Sequence, residues 1–253
     1  MGESNPWLWD KETKQDVYPP AVVDIGFKLR LAELPDWLRR QENWPRLIHH
    51  LERYFTANYT GRFFETFVAK SDAARFTFWD VFAVQALSVP VPPRSIHWLL
   101  DEECPANTLL RESRSELSQV QRETDWSLWT CESSLIQPDG IISRLHECLD
   151  DQSHIGPVTA SKLVAAKLPN VSPIRDTQVA TLIGLPTSEQ WWDPMRQLFE
   201  PDDYALVNYL ASLPLPHETD GVTVLRRLDV ILWMEAKARF PKKPSSVKSR
   251  FGA

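Results

Sequence analysis

An all-α fold is predicted by three observations. Glycine is scarce, with eight residues in 253, while twenty prolines fall mostly between segments of helical periodicity. Alternating strand patterns bounded by tight-turn dipeptides are nearly missing; Asp139-Gly140 is the exception, and a helical pattern follows it. Apolar residues recur at three- and four-residue intervals along most of the chain.

Taken in order, residues 1–25 read as an irregular leader pinned by Trp7 and Trp9. Leu47, Ile48, Leu51, Tyr54 and Phe55 mark a helix with one buried face, and Phe63, Phe64, Phe67 and Val68 mark another. Thr77 to Leu87 is a buried helix with Thr77 as its cap. Val89-Pro90-Val91-Pro92-Pro93 closes it, because that run cannot stay helical. Ile96 to Leu100 opens the next helix, and residues 111–134 read as a longer one with a solvated side. Gly140 to Leu149 is amphipathic through Ile141, Ile142, Leu145 and Leu149. After an interruption at 151–156, Pro157 to Leu168 resumes with proline in its first turn. Thr177 to Gly184, Trp191 to Phe199, Tyr204 to Leu210 and Thr223 to Ala238 complete the set. With no internal repeat and no mid-chain linker, residues 26–240 are expected to form one compact helical unit of one or two lobes, followed by a flexible basic tail at 241–253.

Composition narrows the function classes. Hydrophobic residues make up 43% and charged residues 25%, the values of a globular protein. No run of eighteen apolar residues suggests a membrane span, and the polar amino terminus lacks a signal core. Cys104, Cys131 and Cys148 are too few and too widely spaced for a disulfide framework, which points to a reducing cytoplasm. Nor do they supply a ligand set for zinc or an iron–sulfur cluster, so no metal or other cofactor is expected. A net charge of −6 counts against a protein that coats nucleic acid through bulk charge. Gripping a few phosphates through backbone amides and local cations is compatible with it.

The segment Ser153-His154-Ile155-Gly156-Pro157-Val158-Thr159-Ala160-Ser161-Lys162-Leu163, read on to Pro173-Ile174-Arg175-Asp176-Thr177-Gln178-Val179, carries the chemistry. A helix, a tight glycine-containing turn and a second helix make a helix-hairpin-helix over 140–168. Such a turn presents backbone amides, and the second helix directs its N-terminal N–H groups outward, so together they bind a backbone phosphate without net positive charge. Gly156 would let the chain turn and let DNA approach closely. Ala160 would keep the paired helices near each other. Thr159 and Lys162 are read as the exposed start of the second helix, within reach of the same phosphate. His154, Ile155, Val158, Arg175 and Gln178 complete the expected DNA contacts.

This segment resembles the helix-hairpin-helix DNA glycosylases, the superfamily that includes endonuclease III and the adenine-mismatch glycosylases. In that group the hairpin leads through one helix and a proline-containing loop to an aspartate that opens the next helix. Here Gly156 precedes Asp176 by twenty residues, the register of the endonuclease III type. The resemblance covers about residues 140–184 and is architectural elsewhere. It implies that Asp176 is the catalytic carboxylate, stabilising positive charge on the sugar as the base departs. The partner would be double-stranded DNA with one nucleotide flipped out. Two departures matter. His154 stands where the family's hairpin has its first glycine, and Val158 stands where bifunctional members carry a Schiff-base lysine. A monofunctional glycosylase that leaves an intact abasic site is therefore implied; the oligomeric state is not implied, and a monomer is the expectation.

The released base is less defined. Trp79, Trp98, Trp126 and Trp129 are the candidate stacking surfaces for a flipped base, with Tyr59, Arg62 and Gln85 as further pocket candidates. A wide Trp-lined pocket would suit the bulky bases of hypermodified phage DNA, which would make the enzyme an anti-phage defence. The Ser88-Val89-Pro90-Val91-Pro92 turn occupies the place of the family's DNA-intruding loop. Two rival readings stand beside this one: a non-catalytic helix-hairpin-helix DNA-binding protein in which Asp176 only caps a helix, and a helical adaptor that avoids DNA.

Overall fold

The computed structural model describes residues 28–57, 59–120, 122–185, 191–200, 204–216 and 219–240; the leader and the basic tail expected from the sequence lie outside them. Among the described residues every regular element is helical: α1 (Leu34–Arg39), α2 (Trp44–Thr56), α3 (Phe64–Val68), α4 (Phe78–Ala86), α5 (Pro93–Leu99), α6 (Pro105–Val120), α7 (Ile141–Asp150), α8 (Pro157–Lys167), α9 (Thr177–Ile183), α10 (Trp192–Gln197), α11 (Ala205–Ser212) and α12 (Val224–Arg239), with short 3-10 turns between some of them. The protein is all-α, as its sequence predicts. None of these helices is long and apolar enough to cross a membrane.

Proline explains many of the starts. It occupies the first turn of α1, α2, α5 and α8, where its missing N–H costs nothing. Thr77 caps α4: its hydroxyl accepts the Trp79 amide at 3.2 Å, and Asp80 Oδ2 accepts the Thr77 amide at 2.7 Å.

One sequence expectation fails. Residues 111–134 are not a single helix; α6 begins at Pro105 and ends at Val120, and residues 126–132 run irregularly. Trp126 and Leu128 both bury their side chains. Residues two apart point to different sides of a helix, so a helix could not bury both on one stripe. The Leu128 amide instead donates to Asn170 O at 2.8 Å, which fixes this segment against the loop after α8.

Helix α8 is buried on every side from Thr159 to Lys167, packed against α7, α4 and α3. The small residues Ala160, Ser161, Ala165 and Ala166 let those neighbours come close. The last helix, α12, lies against α2, α9 and α11. Two buried ionic clusters lock these pairings. Lys167 Nζ lies 2.6 Å from Asp80 Oδ2, joining α8 to α4. Glu235 on α12 meets Arg46 at 2.7 Å and His50 at 2.9 Å on α2, and Arg239 at 2.5 Å. Burial would raise the Glu235 carboxyl, but the His50 hydrogen bond and the Arg46 and Arg239 charges hold it down at about 2.

Candidate functional site

The hairpin between α7 and α8 is built around His154, whose φ of 71° is left-handed. Histidine therefore sits in the conformation that glycine adopts most cheaply. Ile155 turns inward, 2% exposed, and its amide donates to Gln152 O at 2.9 Å. Ser95 Oγ donates to Ser153 O at 3.1 Å, and His146 Nε2 donates to Pro157 O at 3.2 Å. Gly156 is extended, with φ −95° and ψ 174°, and a Cβ placed there would meet nothing within 4 Å. The turn thus does not require this glycine; His154 makes it, and Gly156 contributes an open, exposed surface. No side chain caps the start of α8, and helix geometry leaves its first amides without an intrahelical acceptor.

Asp176 opens α9 with its Oδ1 accepting the Gln178 amide at 2.8 Å, so it is a helix cap. Its other oxygen, Oδ2, lies 3.9 Å from Lys162 Nζ. The Asp176 side chain is 18% exposed and the Lys162 side chain 4%, which places the carboxylate at the rim and the ammonium beneath it. Lys162 Nζ also donates to Leu87 O at 3.2 Å. Burial depresses the Lys162 amine, and the Asp176 and Asp229 charges partly restore it.

Below Lys162 the ionic cluster continues into α12. Arg226 donates from Nε to Glu65 Oε1 at 2.8 Å, from Nη1 to Asp229 Oδ2, and from Nη2 to Tyr54 Oη at 2.7 Å and Gly61 O at 3.0 Å. Gly61 permits this: a Cβ there would stand 1.9 Å from Tyr54 Oη. Burial pushes the Asp229 carboxyl up to about 6, against the Arg226 charge, with Asp176 adding to the rise. Lys162, Arg226, Asp176, Asp229 and Glu65 leave one formal negative charge in excess.

The expected DNA contacts divide in two. His154 and Gly156 are exposed, and Val158 and Gln178 are half-buried. Ile155, Thr159, Lys162 and Arg175 are buried. Thr159 and Lys162 are therefore not the phosphate contacts the sequence suggested, because α8 has no solvated face for them. The Arg175 amide donates to Ser161 Oγ at 2.8 Å, and its side chain stays within the packed loop.

The aromatic pocket candidates do not converge. Trp126 is buried with Arg114 over its ring, Trp129 leans on Phe199, and Trp98 packs against the main core. Tyr59 stacks on Tyr54 at 5.6 Å, while Arg62 lies over Phe63 and Gln85 is exposed. Trp79 belongs to an exposed aromatic patch with Phe63, Phe67 and Phe82, flanked by Lys70. The Ser88 turn does adjoin the site: it follows Leu87, is exposed, and has a left-handed φ of 62°. A cavity of about 270 Å³ lies beside Arg226, between α3, the end of α8, the loop through Ile174 and the start of α12. None of the Trp, Tyr59, Arg62 or Gln85 candidates lines it.

Asp229, Arg226, Glu65 and Tyr54 were missed by sequence reasoning. A signal existed: Arg226 and Asp229 sit among Leu225, Leu228 and Val230, in a helix whose pattern leaves little room for solvated charges.

No curated protein and no solved structure matches the chain. A family model described as a family of unknown function, DUF6308, matches residues 47–236, which include α8, Asp176, Arg226 and Asp229. The chain belongs to this family.

Proposed function

We propose that the protein is a monofunctional DNA glycosylase, hydrolysing the N-glycosidic bond of a modified or damaged base and leaving an abasic site. The reading rests on one arrangement: a carboxylate oxygen, Asp176 Oδ2, at the rim of a buried ionic cluster, twenty residues beyond an exposed hairpin. The Oδ1 cap fixes the carboxylate, and Lys162 sets its direction from below. Such a fixed charge stabilises an oxocarbenium-like sugar and can orient the attacking water. The uncapped start of α8 and the open surface at Gly156 suit a backbone phosphate. Val158, in place of the Schiff-base lysine, supports the absence of a lyase step.

The substrate panel stays broad. Because the tryptophans do not gather in one pocket, a preference for bulky phage bases rests on resemblance alone. The test incubates the protein with DNA carrying damaged, methylated and glucosylated hydroxymethyl bases, then treats it with hot alkali. Strand breaks that require both alkali and Asp176 are expected. The Asp176→Asn variant keeps an N-cap of similar quality, so it retains the fold. Equal base release by the variant, or none by either protein across the panel, overturns the reading. The second reading, a DNA-binding module without chemistry, is favoured by the same Asp176 cap. It predicts unchanged duplex binding in the variant with no base released by either protein.

A further inference from the structure

Four of the five large hydrophobic side chains exposed among the described residues lie on one face, built by α3, α4 and the 3-10 turn before α3. Phe63, Phe78, Trp79 and Phe82 are 42%, 57%, 37% and 43% exposed. Phe78 and Phe82 stand one turn apart on α4. Half-buried Phe67 ties the face together, its ring centre 6.5 Å from Phe63, 6.2 Å from Trp79 and 5.9 Å from Phe82. None of these rings lines the cavity beside Arg226. Rings clustered on a surface in this way mark an interaction site.

Charge and area select the partner. Arg62 lies 4.7 Å over the Phe63 ring, and Lys70 lies 4.9 Å over the Trp79 ring. The carboxylates between Arg62 and Ser88 are all paired elsewhere: Glu65 with Arg226, Asp72 with Arg75 and Asp80 with Lys167. Neither Arg62 nor Lys70 has an ion pair among the described residues. A chain of net charge −6 thus keeps two uncompensated cations beside its exposed rings. An aromatic side chain buries about 150–250 Å², so at these exposures the four rings offer roughly 300–450 Å². That is about half of the ~800 Å² per partner of a standard protein interface, which disfavours a folded partner or a second copy. Ring beside cation, twice over, instead matches base beside phosphate, the repeat of a nucleic-acid strand. Duplex bases already stack on one another, so only unpaired bases can lie on these rings. Beyond Gln85, α4 leads to Leu87 and the exposed Ser88 turn, beside Lys162 and the Asp176 rim. We infer that the α3–α4 face binds single-stranded DNA, with bases on Phe63, Phe78, Trp79 and Phe82 and phosphates on Arg62 and Lys70. The choice of DNA over RNA rests on the glycosylase reading; the stacking does not.

Fluorescence anisotropy of the full chain with labelled oligothymidine, a DNA hairpin duplex and oligouridine is the test. Oligothymidine is expected to saturate. Trp79→Ala and Phe82→Ala should each weaken it by about fivefold or more, the loss of one stacked base, and leave binding of the duplex unchanged. Lys70→Gln should flatten the dependence of log Kd on log salt by about 0.7, the loss of one phosphate contact. Lys70 is exposed, so this arm decides even if a ring variant does not fold. Absence of saturation overturns the inference, as does oligothymidine binding that all three substitutions leave unchanged. Ring substitutions that weaken the duplex equally also overturn it, and tighter binding of oligouridine overturns the choice of DNA. Binding to phosphatidylserine vesicles in place of oligothymidine overturns it in favour of a membrane surface, and dimerisation abolished by Phe78→Ala in favour of a second copy. Unmodified oligonucleotides release no base, so this binding and the chemistry at Asp176 stand or fall separately.

Discussion

Lys162 holds its ammonium 3.9 Å from Asp176 Oδ2 while anchoring to Leu87 O, so a buried cation on α8 underlies a carboxylate at the mouth of α9. Asp229 on α12 feels both groups: Lys162 lowers its carboxyl and Asp176 raises it. The three residues form one electrostatic unit drawn from three helix segments.

Replacing Lys162 by methionine removes the cation and keeps most of the side-chain volume. Asp229 should then titrate above its present value of about 6, because a nearby positive charge favours the ionised form. Carboxyl-selective NMR of wild type and Lys162→Met across pH 4 to 8 reads this directly. An Asp229 titration unmoved by the substitution would mean that the two groups are not coupled.

Asp229 also gives a pH-dependent stability. Its folded value of about 6 stands above the 3.8 of an ordinary aspartate. Between those values the native state holds a proton that the unfolded chain releases. Stability is therefore gained as pH falls through 6 towards 4, and the penalty is fully present above 6. Compared with Asp229→Asn, the wild type should gain stability as pH falls from 7 to 4, with a limiting slope of about 1.4 kcal/mol per pH unit. Urea unfolding of both proteins at several pH values checks it; parallel pH profiles would contradict it.

What was legible in the sequence was local. The Thr77 cap, the α7–α8 hairpin and the Gly156-to-Asp176 register each depend on residues near one another in the chain. Lys162 was misread because lysine is usually solvated, although its neighbours Ala160, Leu163, Val164, Ala165 and Ala166 describe a helix without a polar face. The ligands of Arg226 were out of reach in another way. Tyr54, Gly61 and Glu65 lie more than 160 residues earlier, and no periodicity links them to α12. His154 is left-handed at the position where the resembled hairpin has glycine, so its register, more than its residue type, announces that conformation.

Gly61 tests the close packing around Arg226. In Gly61→Ala the new methyl would overlap Tyr54 Oη, which is itself bonded to Arg226. Overpacking of this kind costs about 1–3 kcal/mol. The double variant with Tyr54→Phe removes the overlapping oxygen and should recover part of that loss. The remaining ring carbon, at 2.9 Å from the added Cβ, prevents full recovery. A double-mutant cycle by chemical denaturation measures the coupling. Strict additivity would show that the alanine is accommodated by moving something else.

His154 makes the last prediction, and it separates conformation from contact. The left-handed φ of 71° costs a non-glycine residue roughly 1 kcal/mol. The side chain is exposed, so His154→Gly removes little packing. Glycine spends more entropy on folding, and the two effects nearly offset, leaving His154→Gly within about 0.5 kcal/mol of wild type. His154→Val should destabilise by about 1–2 kcal/mol, because a β-branched residue tolerates that φ least. Thermal unfolding of the three proteins orders them. If valine is as stable as glycine, the hairpin takes another conformation in solution, and the phosphate-binding geometry argued for α8 loses its turn.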